Sequence, residues 1–428
     1  MSFLEQYDAI DASQPLLKMG LFGTVVRTPD VGAMFAELRE HRPIFVMPAA
    51  TLVTRFSDVQ EVLRRPKIFS VRLYQDRMDP SVGPFMLARD ETVYNRRDKS
   101  IMMTMLRLED LPAIRQMVAD LADAAIRNAN GTIEVVSQLS RLVPVQLTGE
   151  YFGFPGPDTA TMMRWSRATQ FDMFHNFPQN DPQVHADNLQ AGLEMKAYLA
   201  QLLPQRRAEL QADPSLDDTL SRLLKTVLPP QIGFDDERII ANVIGLLVGG
   251  IETTSAAIAQ ALDQLLSRPD QLAAATKAAA AGDDATLANS VFEALRFHPI
   301  NPFVVRFCEQ DYELAADTDH RALIKAGTVV LASTASAMMD DGEVDTPEEF
   351  RLGRPDYLYM HLGYGHHTCL GDQISLVQVP TIVQRLLLAK NLRRASGNDG
   401  QVDSQGGPFP EKFVLQFDAR QSVAASGN

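Results

Sequence analysis

With 428 residues, 45% of them apolar and 22% charged, the chain has ordinary globular composition and enough apolar mass for a sizeable core. Its 40 basic against 54 acidic side chains leave a net charge of −14; such a surface repels phosphate backbones and anionic lipid, which excludes nucleic-acid binding as a main role. Two cysteines, Cys308 and Cys369, exclude a disulfide framework, and the opening Met1-Ser2-Phe3-Leu4 lacks the basic-then-apolar layout of a signal peptide, so the expected home is cytoplasmic.

Along the chain, Leu52 to Phe56 alternates as a strand, and the following Ser57 to Leu63 switches to helical spacing with Ser57 as the expected N-cap. Residues 67 to 92 read as an irregular loop of functional length carrying Phe85, Met86 and Leu87. From about 110 to 285 the pattern is helical, broken at Pro155, Pro157, Pro178, Pro182 and Pro229-Pro230. Within it, Phe234 to about Ser267 reads as one long helix with acids in its first turn, spanning roughly 50 Å at ~1.5 Å per residue. Its apolar runs are interrupted and fall short of the ~20 residues a membrane span needs, so no membrane anchor is expected.

At the middle of that helix lies Gly249-Gly250-Ile251-Glu252-Thr253-Thr254. Adjacent glycines inside a helix cost about 1 kcal/mol each relative to alanine, so a close approach should require them; tight helix packing and back-bonding threonines are the plain structural explanation. Glu293 and Arg296, three apart, share one helical face and can pair. Short strands follow at Phe303 to Val305 and Thr328 to Leu331, with another at Lys412 to Phe417. Between them lies Leu362-Gly363-Tyr364-Gly365-His366-His367-Thr368-Cys369-Leu370-Gly371, a glycine-punctuated loop ending on a thiol just before helical spacing from Asp372 to Leu388. Gly363 and Gly365 allow backbone against a flat macrocycle, Gly371 leaves room beside a metal, and a helix N-terminus favours the thiolate, so the loop reads as a haem-thiolate cradle.

This loop resembles the cysteine motif of the cytochrome P-450 family, FGxGxHxCxG, with Leu362 in place of the phenylalanine. Gly249 to Thr253 resembles the family's (A/G)Gx(D/E)T element, and Glu293 with Arg296 its ExxR pair; Val53 to Ser70 and Ile324 to Val330 also match, so the resemblance covers about 35–420. It implies a mainly α fold with small β-sheets, the cytochrome P-450 fold, with haem between a long central helix and the cysteine-loop helix. The expected domains are an N-terminal extension 1–34, a single domain 35–420 and a C-terminal tail 421–428. The resemblance implies haem b (iron protoporphyrin IX) with Cys369 as iron ligand, propionate contacts from His367 and Arg306, and Glu252 with Thr253 managing protons. The family's HxxxR is broken by Tyr94 and Asp98, leaving Arg97 or Arg96 to take over; its PxRF-like basic position holds Glu349, leaving Arg351 or Arg354. Met338-Met339 stands where the family commonly has Asn-Arg.

The function so implied is a monooxygenase that inserts one oxygen atom from O2 into a hydrophobic organic substrate. No flavin or iron–sulfur segment is present, so electrons would come from a separate ferredoxin and ferredoxin reductase or an equivalent donor. Placed by analogy, the pocket would draw on Phe85, Met86, Ile244, Val248, Val304 and Phe409, with the stretch Phe171 to Phe174. The alternatives are a peroxide-driven peroxygenase, which often dispenses with the acid–threonine pair, and a non-catalytic haem protein that binds gas.

Overall fold

A computed structural model describes residues 1–28, 30–90, 93–176 and 180–419. The expected tail 421–428 and the break at Pro178 lie outside them. The chain is mostly helical and folds into two compact units. One comprises Met1–Asp79, Pro84–Lys99 and Leu295–Leu370; the other comprises Pro80–Gly83, Ser100–Ala294 and Gly371–Asn428.

The first unit is built on a five-stranded sheet in the order Ile44–Val46, Thr51–Val53, Val329–Ala332, Val304–Cys308, Phe69–Ser70. Thr51–Val53 runs parallel to Val329–Ala332, and the other pairings are antiparallel. Successive side chains point to opposite faces. Leu52 and its partner Leu331 therefore join one core with Phe3, Tyr7, Met34 and Leu38, while Val53 and its partner Ala332 join another with Phe56, Val62 and Phe69. The first core takes in the N-terminal helices Phe3–Ala9, Pro15–Val25 and Val31–His41.

The strand-to-helix unit predicted near residue 52 is present, with one correction. The helix starts at Phe56, and Ser57 does not cap it. Instead the Phe56 N–H donates to Oδ2 of Asp340 at 2.8 Å, a carboxylate brought from a distant turn to the positive helix end. Of the expected loop 67 to 92, residues 91 and 92 lie outside the described residues, and 67 to 90 is less irregular than expected, since Gln75–Ser81 is a helix and Phe69–Ser70 an edge strand.

In the second unit the central helix forms as two stretches, Asp236–Gly250 and Glu252–Leu266, with the break at Ile251. Asp235 caps it by accepting the Arg238 N–H at 3.1 Å, and Asp236 and Glu237 occupy the first turn. By length and composition this helix could cross a membrane, contrary to the expectation from its interrupted apolar runs. Its most apolar window has a mean hydropathy of 1.5, and 78% of that window is buried, which is the environment of a core helix. Around it pack Leu142–Glu150, Thr159–His175, Pro182–Ala212 and Asp372–Leu387. Pro182 starts a helix at its first position, where no N–H is missed. The predicted C-terminal strand is Val414–Gln416, set between Thr132–Glu134 and Arg393–Arg394.

Candidate functional site

The cysteine loop lies in the first unit. The Cys369 N–H donates to the Leu362 carbonyl at 2.8 Å and closes the loop, and the thiol is exposed and not joined in a disulfide. Gly363 and Gly365 both have positive φ, 77° and 70°. A Cβ would stand 2.9 Å from the His367 carbonyl oxygen at the first and 2.9 Å from the Leu63 carbonyl oxygen at the second. Glycine is therefore needed at both. At Gly371 a Cβ would meet nothing within 4 Å, so protein packing does not explain the residue. The helix Asp372–Leu387 follows as expected.

His367 and Arg306 occupy the interior of the same unit. His367 Nε2 lies 3.0 Å from Oδ1 of Asp90, whose other oxygen accepts the Val71 N–H at 3.0 Å. Burial pushes the imidazole down to about 4, against the opposing hydrogen bond from Asp90 and with help from nearby Arg306. Arg306 is 5% exposed and donates to the Val305 carbonyl. Among the described residues it has no carboxylate at ion-pair distance, and burial lowers its pKa while Tyr74 and Asp90 oppose the shift. A buried guanidinium without a counter-ion is costly. A haem propionate is the bidentate anion such a fork accepts.

Arg97 donates to Oδ1 of Asp98 at 2.7 Å and lies 5.6 Å from the Tyr94 ring centroid. The two residues that break the HxxxR pattern thus both engage Arg97. A contact missed from sequence is Lys99, whose ammonium donates to the carbonyls of His366 at 3.1 Å and Thr368 at 3.0 Å. No motif marks it, because main-chain acceptors leave no trace in residue identity.

Glu293 and Arg296 lie on the helix Asp284–Phe297 and are both wholly buried. Arg296 donates to the Met338 carbonyl at 3.1 Å and the Glu349 carbonyl at 3.0 Å, and meets the Met339 sulfur at 2.9 Å. Of the two candidates for the missing basic position, Arg354 is the one beside it. It is buried and donates to the same Glu349 carbonyl at 3.0 Å, whereas Arg351 is exposed and pairs with Asp345.

In the second unit the break at Ile251 separates the glycines from the acid–alcohol pair. Thr253 Oγ1 donates to the Gly249 carbonyl at 2.7 Å, the back-bond that opens a helix groove. A Cβ on Gly249 would meet nothing, and one on Gly250 would come no closer than 3.7 Å to Phe152, so neither glycine answers to a tight protein contact. Thr254 is buried, Thr253 only partly. Glu252 is 1% exposed and is held by two guanidiniums, Arg141 at 2.8 Å and Arg167 at 2.8 Å. Arg167 also pairs with Glu411, and Arg141 donates to the Met163 carbonyl at 2.7 Å. Sequence reading missed both arginines, single cations on remote helical segments.

Of the pocket candidates, Ile244, Val248 and Phe409 are buried in the second unit, and Phe409 packs with Phe171. Phe85, Met86 and Val304 belong to the first. The exposed thiol and the cation lacking a counter-ion, both in the first unit, fit a haem held by Cys369, Arg306 and His367.

Comparison with known proteins shows the family. The family described as Cytochrome P-450 matches residues 44–402. The chain is 28% identical over 391 residues to the cytochrome P-450 monooxygenase PikC of Streptomyces venezuelae, covering 88% of this chain and 87% of that one. It is 27% identical to a mycinamicin IV hydroxylase/epoxidase of Micromonospora griseorubida, over 82% of this chain and 86% of the relative. Among solved structures, CalO2 superposes with a TM-score of 0.78 at 22% identity, over 91% of this chain and 98% of that one.

Proposed function

Because the chain belongs to the cytochrome P-450 family, we propose that it is a haem-thiolate monooxygenase acting on a hydrophobic organic substrate. The observation that carries this reading is the cysteine loop. Two positive-φ glycines set its path, and the Cys369 thiol at its end is exposed. Cys369 would bind the iron of haem b, with His367, Arg306 and Arg97 serving its propionates; the bound haem supplies the oxygen activation.

The protein's own part is positioning and proton handling. Thr253, bonded to the Gly249 carbonyl, holds a hydroxyl at the helix groove, where it can orient water and pass a proton. Glu252 keeps its carboxylate between two guanidiniums, next to that hydroxyl in the chain. Gly249 and Gly250 leave the groove open, and Ile244, Val248 and Phe409 exclude water around an apolar substrate. Glu293 and Arg296 act as a buried brace without chemistry. Electrons would come from a separate ferredoxin and its reductase, in the cytoplasm.

Purified protein, reduced and exposed to carbon monoxide, should show the red-shifted Soret band of thiolate ligation, and Cys369→Ala should abolish it. Substrate oxidation should then require NAD(P)H with a redox partner. Turnover with peroxide alone and none with the partner would overturn the monooxygenase assignment.

A further inference from the structure

The helix Thr159–His175 presents Arg167, Phe171 and His175 at intervals of four, one above another on a single face. All three meet the ring of Phe409, which is 4% exposed. The Arg167 guanidinium lies 4.5 Å from its centroid, Phe171 meets it edge-on at 6.2 Å, and His175 meets it edge-on at 4.8 Å. From Arg167 to His175 the stripe rises roughly 12 Å along the helix.

The two ends differ in chemistry. At the Arg167 end the charges cancel, since Arg141 and Arg167 face Glu252 and Glu411. At the other end the His175 ring touches Phe409 and has no hydrogen bond among the described residues. Burial, helped by Arg167, pushes this imidazole down to about 4, so near neutral pH it carries one N–H donor and one bare acceptor nitrogen. The residue is nevertheless only half-buried. The ring therefore packs on Phe409 and still keeps part of its surface open to a ligand. A ring nitrogen without a protein partner there is available to a ligand atom.

We propose that His175 is a specificity-determining residue that hydrogen-bonds a neutral oxygen, hydroxyl or carbonyl, carried by an otherwise apolar substrate. The proposal rests on the monooxygenase reading of the same site and adds the substrate's polar function to it. A neutral imidazole donates to a carbonyl or accepts from a hydroxyl with equal ease. It offers no counter-charge, and the neighbouring ion pairs are already balanced, so a carboxylate or ammonium would be buried without compensation. A site of this kind discriminates against the analogue lacking the oxygen, because the ring nitrogen then faces hydrocarbon without a partner.

Calorimetric titration of the holoenzyme with trans-decalone, trans-decalol and trans-decalin tests it. The two oxygenated compounds should bind about tenfold or more tightly than the hydrocarbon. His175→Phe should bring the ratio near one, chiefly by weakening the oxygenated pair, and His175→Gln, which keeps a donor and an acceptor, should retain most of the preference. Oxygenated and parent compounds within about threefold of each other in the wild type, absence of binding by all three included, would overturn the proposal. So would a His175→Phe variant that keeps the preference. The carbon monoxide spectrum of the same samples reports sulfur ligation separately. A normal spectrum without the preference sinks the His175 contact alone, and the preference without the spectrum sinks the haem reading.

Discussion

The side chains of Arg306, His367 and Glu252 are each buried, and each depends on a different kind of partner. Arg306 has no carboxylate at ion-pair distance among the described residues, so its partner is expected to be the cofactor. Arg306→Leu should weaken haem retention by roughly tenfold to a hundredfold, the worth of one charge-assisted fork, with Arg306→Lys in between; haem loss to a scavenger protein measures it. Glu252 is compensated from both sides, and Glu252→Gln leaves two guanidiniums facing an amide. Removing one partner of a buried ion pair costs about 3–5 kcal/mol, so the melting temperature should fall together with activity. His367 sits at about 4 when folded, against about 6.5 in an unfolded chain. Between those values the unfolded state binds the proton and the native state does not. Stability from this group is therefore fully present above about pH 6.5 and declines as pH falls towards 4, by on the order of 2–3 kcal/mol. Denaturant midpoints across that window should fall less steeply in His367→Phe than in the wild type.

At the scale of elements, close backbone approach explains positions that periodicity does not. A Cβ on Gly365 would press on the Leu63 carbonyl oxygen in a conformation that already disfavours side chains. Gly365→Ala should cost about 1–3 kcal/mol and lower haem occupancy, read as the Soret-to-protein absorbance ratio. Gly192, in the helix Pro182–Ala212, lies against the end of the helix Gln75–Ser81, and a Cβ would stand 2.5 Å from the Ser81 carbonyl oxygen. Gly192→Ala should therefore destabilise by about 1–3 kcal/mol, even though alanine favours an isolated helix; thermal melting would show the sign. The positions of the central helix, the helix after Cys369 and four of the strands were legible because period and caps act locally. The break at Ile251 was not, because a one-residue interruption leaves the apolar period on either side of it unchanged. Nor was the Asp340 cap on the helix at Phe56, because sequence reading looks for a cap next door.

Across the whole molecule, the motif residues were readable and their partners were not. Cys369, Glu293, Arg296 and the Gly249-to-Thr253 run stand out through their joint resemblance to the family's motifs. Arg141, Arg167, Lys99 and Asp90 reach these motifs across long stretches of chain, and a lone charged residue in a helix looks the same whether it meets solvent or a buried acid. The expectation that the central helix is too interrupted to cross a membrane failed for a related reason: a helix enclosed by protein is as apolar as one enclosed by lipid. Arg354 and Arg351 offer a sharp comparison. Arg354→Ala, which removes a buried side chain and its bonds to the Asp345, Thr346 and Glu349 carbonyls, should cost about 2 kcal/mol, whereas Arg351→Ala at an exposed pair should change the melting midpoint little. Arg296 and Arg354 converge on the peptide oxygen of Glu349, whose residue is exposed. What is conserved by such an arrangement is the route of the main chain, not the letter written on it. Glu349→Ala should thus be silent in folding and haem binding, and evolution can rewrite this turn while the brace beneath it keeps its grip.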